Sequence, residues 1–462
     1  MALKNRVDML HGSLQKNIIL FTLPIIATSL LQLLFNTADL LVVAQFGGEN
    51  SAAAVAAIGS TGSLTTLLVN FFMGLSVGVS VTVAQGMGAD DQARVHRIVH
   101  TAIPLAALCG AVLTVVGVLG AETFLRWMGN PEETLALATL YIRIYFGGMI
   151  ANLVYNFGAA ILRAAGDTVR PLLFLTAAGV LNVILNVIFV TCFQMTVDGV
   201  SLATVLSQCL SAVLILCALS RRKDACNLRW KELRIHRKPL GQILYLGVPA
   251  GIQSSMFSIA NVIIQSSVNS FGAAAMAGSA AAGTVEGYVY VCQNAFYQAA
   301  INFTGQNMGA GNPRRIRKIL LVCAINVVVV GLTLGCLMYA FGEPLLRLFL
   351  KEGSEAISIP AALEFGMVKL FWVGVLYFVC GLQEVMTGVL RGIGCSISSM
   401  VISIVGVCGV RLVWIFTAFR AHSDDPAWLF VSYVISWAIT FLAGFCVYLY
   451  QSRRMLRKNT ES

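Results

Sequence analysis

Three acidic residues stand within long apolar stretches of the chain: Asp39, Glu286 and Glu384. If these stretches cross a membrane, each charge costs about 2.5–3.5 kcal/mol at the bilayer centre on insertion scales, so an acid there is a functional candidate by default. A carboxylate in such a place can hold a proton, a metal ion or a cationic ligand. We therefore take these three residues as the first candidates for chemistry.

The first acid has polar companions further along the chain. Asn182 and Asn186 are four residues apart, so both amides face the same way on a helix. Their expected depth and that of Thr204 match the depth of Asp39, between the midplane and the outer third of the membrane. A carboxylate, two amides and a hydroxyl suit a hard cation or a proton. The sequence thus predicts a cation or proton site at these four residues, and the alternative is a hydrogen-bond cluster that joins helices.

The composition shows where these residues must lie. Apolar residues make up 58% of the 462 residues and charged residues only 11%, which is too few to cover a water-facing surface. A soluble, disordered or coiled-coil chain is excluded on this ground. The twelve cysteines form no CxxC pair, and we interpret them as packing residues. The chain is predicted to be an integral membrane protein.

Apolar windows separated by glycine, proline and charge clusters predict an all-α fold with twelve transmembrane helices. The predicted spans are 18–45, 53–86, 95–120, 138–162, 171–194, 198–220, 241–271, 276–307, 316–342, 360–390, 397–419 and 427–450. They divide into a cytoplasmic tail (1–17), an N-lobe (18–220), a basic cytoplasmic linker (221–240), a C-lobe (241–450) and a basic cytoplasmic tail (451–462).

The basic residues set the predicted orientation. Of the 31 lysines and arginines, 24 fall on the side of the two termini and four on the opposite side. By the positive-inside rule, both termini are cytoplasmic and the protein lies in the plasma membrane, which is the inner membrane in a cell with two. The formal net charge of +10 is explained in this way without a nucleic-acid partner.

The two halves of the chain repeat one another. Leu23-Pro24 and Phe46-Gly47 match Val248-Pro249 and Phe271-Gly272 at an offset of 225 residues. The turns QGMGA (85–89) and QNMGA (306–310) match at 221, and ILRAAG (161–166) matches VLRGIG (389–394) at 228. Six spans per half give both halves the same orientation. The repeat predicts two six-helix lobes related by a pseudo-two-fold axis along the membrane normal, an architecture of secondary transporters.

The repeat also relates candidates in the two halves. Glu384 is the equivalent of Asn156, which makes both of them candidates for the lining of a cavity. Glu384 and Glu286 are the candidate coupling or substrate residues of the C-lobe, and the alternative for Glu286 is an ion pair with a cation such as Arg411. Three further candidates are Asn261 and Gln265, the polar residues of span 7, and Tyr155, an aromatic ring for organic cations or for ordinary packing.

Other chemistry is not indicated. There is no GxxxxGK[ST] loop for a nucleotide. His96 and His100 have the spacing of a metal-binding pair but lack the glutamate of an HExxH motif, and we expect them to form a solvated helix start. We predict no enzyme, no organic cofactor and no metal site beyond a possible Na+ at Asp39.

The anchors of the repeat resemble those of the multidrug and toxic compound extrusion (MATE) family. The resemblance is carried by a proline-bearing first helix ending in FGG, the turns QGMGAD and GQNMGAGNPRR, and the stretches LRAAGDTVRP, GVLNVILNVIF and LRGIG. It covers the chain from about residue 18 to about residue 450. It implies a V-shaped pair of lobes and export of drugs or organic cations in exchange for H+ or Na+. It also implies a cation or proton site at Asp39, Asn182 and Thr204, whereas Asn186 stands where some members carry a second aspartate.

The sequence thus predicts a secondary antiporter for amphipathic, cationic small molecules, working among membrane lipids and functional as a monomer. The alternative is a flippase for lipid-linked precursors on a related scaffold. A flippase needs several cations along its cleft, and only Arg143, Lys369 and Arg411 lie in or near the spans.

Overall fold

The computed structural model describes residues 6–46, 51–350 and 358–461, and within these ranges the regular structure is entirely helical. Lys4 and Lys351 of the charge count and Gly47 of the repeat lie outside the described residues, as does the side chain of Lys458. The predicted all-α fold is confirmed.

Most of the described chain is in α-helices of different lengths. In chain order they are α1 (Leu14–Phe46), α2 (Ser51–Gly88), α3 (Gln92–Trp127), α4 (Glu132–Gly147), α5 (Met149–Ala164), α6 (Val169–Thr191), α7 (Val197–Ser220), α8 (Arg237–Asn269), α9 (Ala273–Gly309), α10 (Pro313–Ala340), α11 (Gly342–Arg347), α12 (Ile359–Lys369), α13 (Tyr377–Gly392), α14 (Ser396–Ser403), α15 (Val410–Trp414) and α16 (Pro426–Glu461). Turns of π-helix occupy Leu370–Val375, Ile404–Gly409 and Ile415–Phe419.

The number of apolar spans differs from the prediction. Among the described residues, ten helices are long and apolar enough to cross a membrane, and the pair α4–α5, bent by 48°, makes an eleventh when counted as one span. The remaining predicted segment, 276–307, lies on α9, which has 37 residues but is less apolar. Six of the last 17 residues of α9 carry amide side chains, and most of that stretch is buried in protein. Its polar groups therefore need not face lipid.

The chain forms two compact units. The first unit consists of Met1–Asp8 and Leu23–Ser255, and the second unit consists of Met9–Thr22 and Met256–Ser462. The start of α8 thus belongs to the first unit and the start of α1 to the second, whereas the predicted lobes placed each helix in one lobe. Local contacts within each unit explain this division.

In the first unit, α8 packs against α2 through glycines. Gly74 and Gly78 of α2 face Gly251 and Gly247 of α8, and a Cβ atom on Gly74 would collide with the backbone of Gly251. Both pairs have the GxxxG spacing that lets two membrane helices approach closely. The start of α8 is held in the first unit by this backbone contact.

In the second unit, the turn between α9 and α10 holds the chain just before α1. The Asn307 amide donates to the Met9 carbonyl at 3.0 Å. The Arg315 guanidinium donates to the carbonyls of His11 and Gly12 at 3.0 and 3.2 Å. This is the turn that carries the GQNMGAGNPRR motif, so the motif fastens the segment Met9–Thr22 to the second unit.

The linker is folded onto the first unit. The backbone N–H of Arg229 donates to Nε2 of His100 at 3.0 Å, and the N–H of His236 donates to the Thr101 hydroxyl at 3.2 Å. Arg222 is buried and donates two hydrogen bonds to Asp224, at 2.9 and 2.7 Å. Its other nitrogen lies 3.8 Å from Asp167. Burial raises the pKa of the Asp167 carboxyl while hydrogen bonds and nearby arginines lower it, so the charged carboxylate depends on its cations.

The substitution Arg222→Ala is expected to destabilise the protein by about 2 kcal/mol, because it removes two hydrogen bonds to Asp224 and the buried cation beside Asp167, whose ion pair with Arg170 at 3.4 Å remains. Thermal denaturation of the purified protein in detergent would show a lower melting temperature. The neighbouring Arg221 is exposed, so Arg221→Ala is the matched control and should melt like the wild type. Equal melting of the two variants would contradict a structural role for the Arg222 ion pairs.

Candidate functional site

The polar site of the first unit is built from α1, α6 and α7. The Asn186 amide of α6 donates to Oδ1 of Asp39 on α1 at 2.5 Å. It also lies 3.4 Å from Oδ1 of Asn182, and the Asn182 amide donates to the Thr204 hydroxyl of α7 at 3.4 Å. Thr204 in turn donates to the carbonyl of Val200 at 2.9 Å. The structure therefore brings the four predicted residues into one hydrogen-bonded chain.

This series of hydrogen bonds leaves one buried side-chain oxygen without a hydrogen-bond partner. Asn186 is fully buried, and its Oδ1 accepts no hydrogen bond from any described residue. Asp39 is only half-buried, so its carboxylate can be reached from outside the helix packing. Leaving a buried acceptor unsatisfied costs about 1–3 kcal/mol. A proton or small cation held by Asp39 is one source of the missing partner.

A glycine fixes the distance between α1 and α6. Gly179 is one turn before Asn182, and Phe35 is one turn before Asp39. A Cβ atom on Gly179 would fall inside the ring of Phe35. This close packing holds α1 against α6 about one turn before Asp39 and two turns before Asn186. The sequence prediction missed Gly179 and Phe35, although the glycine three residues before Asn182 was a visible signal.

The two predicted cavity residues of the first unit have local partners. The buried Tyr155 of α5 donates its hydroxyl to the Pro171 carbonyl of α6 at 3.0 Å, which braces the two helices. The Asn156 amide donates to the backbone carbonyl of Asn152 at 2.8 Å and to its side-chain oxygen at 3.1 Å. These contacts give Tyr155 a packing role; the cavity assignment of both residues stays a prediction.

In the second unit, Glu286 has a cation as its partner, as the alternative interpretation expected, but the cation is Lys369 and not Arg411. Glu286 of α9 lies 3.5 Å from Nζ of Lys369, at the end of α12. Arg411 instead donates to the Ser436 hydroxyl at 2.9 Å and stacks over the ring of Tyr433 at 4.1 Å. The buried guanidinium group thus has a hydroxyl acceptor and an aromatic face as its partners. The sequence placed Arg411 in a span but could not show which helix its side chain faces.

The remaining candidates of the second unit have different surroundings. Glu384 of α13 is half-buried and forms no hydrogen bond or ion pair with any described residue. Further along the same helix, Arg391 donates to the hydroxyl of Tyr297. Asn261 and Gln265 are exposed on α8, and Gln265 donates to the exposed Asn269 at 3.0 Å. Within the part of the chain that the structure describes, none of these candidates forms a hydrogen bond or an ion pair with Glu286.

The histidine pair has an acidic partner that the sequence analysis did not expect. Glu232 of the linker lies 3.2 Å from Nε2 of His96, and the rings of His96 and His100 stack with centroids 4.0 Å apart. Glu232 is 132 residues from His100, so sequence spacing could not reveal it. His100 is fully buried, with Nδ1 at 2.8 Å from the His96 carbonyl and Nε2 accepting from Arg229. Nε2 of His100 thus helps to fasten the linker, Nδ1 is bonded within α3, and the burial of this side chain corrects the predicted solvated helix start.

Comparison with known proteins decides the family. The MatE family model matches two stretches of the chain, 24–188 and 249–417, which together make up well over half of it. The chain belongs to the MatE family. The two matched stretches begin on Pro24 and Pro249, the prolines of the first repeat anchor. Membership in this family makes the chain a multi-pass membrane transporter, as its helices indicate.

Relatives extend over the full length of the chain. "Probable multidrug resistance protein YpnP" of Bacillus subtilis (strain 168) is 29% identical over 441 residues, covering 94% of this chain and 96% of the relative. An "FAD transporter" of Shewanella oneidensis is 23% identical and covers 97% of both chains. A solved outward-facing structure of a multidrug resistance MATE family transporter of the MOP superfamily has a TM-score of 0.88 at 22% identity, covering 99% of this chain and 100% of that one. The structural likeness establishes the MatE fold.

Proposed function

We propose that this MatE protein is a secondary antiporter that exports amphipathic, cationic small molecules in exchange for H+ or Na+. The observation that carries the proposal is the Asp39 site of the first unit. It combines a reachable carboxylate with the buried, unpartnered Oδ1 of Asn186. The multidrug names of relatives such as YpnP support drug-like substrates.

The site offers a simple way to couple an ion to a change of state. A charge-assisted hydrogen bond from Asn186 to ionised Asp39 is stronger than one to a neutral acid. Loading Asp39 with a proton or a cation therefore weakens this bond and at the same time offers the free Oδ1 of Asn186 a partner, so the contact between α1 and α6 is rearranged. Ion and substrate need not touch; each only has to stabilise a different conformation of the carrier.

Dye efflux tests the proposal. The purified protein would be placed in liposomes loaded with a fluorescent organic cation, and a proton or a sodium gradient would be imposed separately. We expect efflux under one of the two gradients, and empty liposomes are the control. A second set of liposomes is loaded with FAD as the substrate, because one relative is named an FAD transporter. Folded protein that moves no cationic dye under either gradient would contradict the proposal.

The substitution Asn186→Asp is expected to strengthen sodium coupling. It places a second carboxylate against Asp39, and an added charge at this distance is worth several kcal/mol even when well screened. The sodium concentration for half-maximal efflux should fall by about tenfold or more. Asn269→Asp, at an exposed position of α8, is the matched control and should leave it unchanged. An unchanged sodium dependence in Asn186→Asp would show that the ion does not bind between these residues.

The orientation is part of the same proposal. The 24-to-4 distribution of basic residues supports cytoplasmic termini in the plasma membrane. Export of substrate then follows an inward gradient of the coupling ion. We propose the single chain as the functional carrier, because each sequence half supplies one of the two repeats.

A further inference from the structure

The second unit contains a buried ion pair that differs from a simple structural salt bridge. Glu286 of α9 and Lys369 of α12 lie 3.5 Å apart, with side chains 11% and 12% exposed. Apolar residues surround them, including Ala282, Val285 and Leu370. Two charges in such a place lose most of their hydration, and only close geometry with all lone pairs satisfied repays this cost.

The distance of 3.5 Å between Nζ of Lys369 and the Glu286 carboxylate is long for an ion pair. Charge-assisted bonds between an ammonium and a carboxylate are usually about 2.7–2.9 Å long. Lys369 instead makes its shorter contact, 3.0 Å, with the backbone carbonyl of Ser279, about two turns before Glu286 on the same helix. The ammonium group thus has a second acceptor that would remain if Glu286 lost its charge.

The Glu286 carboxylate has one oxygen that is not used in the pair. Oε1 of Glu286 is buried and accepts no hydrogen bond from any described residue. A carboxylate that serves only to neutralise Lys369 would have both oxygens satisfied. An unsatisfied, buried carboxylate oxygen next to a paired one is a place where a proton can be added without breaking an existing hydrogen bond.

Local structure leaves room for a rearrangement. A Cβ atom on Gly287 would meet nothing within 4 Å, and one on Gly283 would meet only Nζ of Lys369, at 3.3 Å. Lys369 is the last residue of α12, directly before the π-helical turn Leu370–Val375. Such π turns within membrane helices are frequent at functional sites.

We propose that Glu286 and Lys369 form an exchangeable ion pair, in which the Lys369 ammonium is the built-in counter-ion of a carboxylate that takes up a proton during transport. The proton binds Oε1 of Glu286 and forms a neutral carboxylic acid. Lys369 keeps all its protons and its charge, and remains on the Ser279 carbonyl. The charge of the pair rises from zero to plus one. The inference rests on the proposed antiport, to which it adds a second proton site besides Asp39.

The other ionisable groups facing Glu286 are few. Tyr377 of α13 and Tyr433 of α16 lie within electrostatic range of it, and Lys369 is the cation from α12. From its own helix and from α10 and α11, no charged partner of Glu286 occurs among the described residues. The proton uptake is therefore assigned to the Glu286–Lys369 pair itself.

Infrared spectroscopy and transport together test this assignment. Purified wild-type protein should show an infrared carbonyl band of a protonated carboxyl group that grows on acidification and is lost in the double variant Glu286→Gln/Lys369→Gln. The double variant removes both charges together, so it avoids a lone buried charge that could prevent folding. Glu364→Gln removes an exposed carboxyl group of the same helix α12 and is the matched control; its band should remain.

In liposomes, the dye gradient sustained at zero membrane potential is measured against the imposed pH difference. Each proton exchanged contributes about tenfold per pH unit. Wild type and Glu364→Gln should therefore sustain a dye ratio about tenfold steeper per pH unit than the double variant. A double variant that keeps the wild-type band or the wild-type slope, or that is folded but inactive, overturns the exchangeable pair. If the wild type transports no dye under any imposed gradient, the proposed antiport is wrong. The infrared band then still shows whether Glu286 takes up a proton.

Discussion

The variant Asp39→Asn is expected to lose gradient-driven efflux while remaining folded. Asparagine has nearly the shape of aspartate, and its oxygen can still accept the hydrogen bond from Asn186. Only the charge and the ability to exchange a proton or hold a cation are removed. Because a charge within a membrane segment costs about 2.5–3.5 kcal/mol on insertion scales, the neutral variant should be at least as stable as the wild type.

The measurement is dye efflux from liposomes under the gradient that drives the wild type. We expect the gradient-dependent rate to fall to the level of protein-free liposomes. Asp90→Asn is the matched control: Asp90 lies in the turn between α2 and α3 with φ of 52°, a conformation that asparagine also tolerates. Efflux at the wild-type rate by folded Asp39→Asn would remove the coupling role of this site.

The variant Gly179→Ala is expected to have the second-largest effect on transport. The added methyl group would occupy the space of the Phe35 ring, so α1 must move away from α6. Overpacking of this kind costs about 1–3 kcal/mol. The same movement pulls Asp39 out of reach of Asn186, and a displaced carboxylate cannot use the buried amide. We expect at least a tenfold loss of gradient-driven efflux, about the effect of 1.4 kcal/mol.

A second substitution separates this mechanism from general destabilisation. Phe35→Ala in the same chain frees the space for the methyl group, so the double variant should recover most of the lost efflux. Gly59→Ala, at a glycine of α2 where a Cβ atom meets nothing within 4 Å, is the control and should transport like the wild type. A double variant no better than Gly179→Ala would contradict the proposed spacing role of Gly179.

Features that depend on local sequence were predicted well. The i,i+4 spacing of Asn182 and Asn186 placed both amides on one face, and the structure places both on the side of Asp39. The helical segments could be predicted because a membrane leaves few alternatives to a helix. Ten predicted spans, or eleven with the bent pair α4–α5, correspond to apolar helices among the described residues, and the twelfth lies on α9, whose amides are buried in protein rather than exposed to lipid.

Features that depend on contacts between distant residues were not predictable. The alternative for Glu286 was an ion pair with a cation such as Arg411, and the cation beside it is Lys369, because helical phase and tilt decide which of two cations faces an acid. Glu232 reaches His96 only through the fold of the linker. The close contact of Gly179 with Phe35 likewise depends on how α1 packs on α6, and no periodicity within either helix specifies it.

The assignment of Met9–Thr22 to the second unit has a consequence for biosynthesis. A ribosome makes this segment first, yet the side chains that hold it, Asn307 and Arg315, are synthesised about 300 residues later. The start of α1 must therefore wait in the translocation machinery or in lipid until α9 and α10 arrive. A gene cut within the 221–240 linker would likewise yield two fragments that each lack part of a unit, and neither should mature unless the other is made in the same cell.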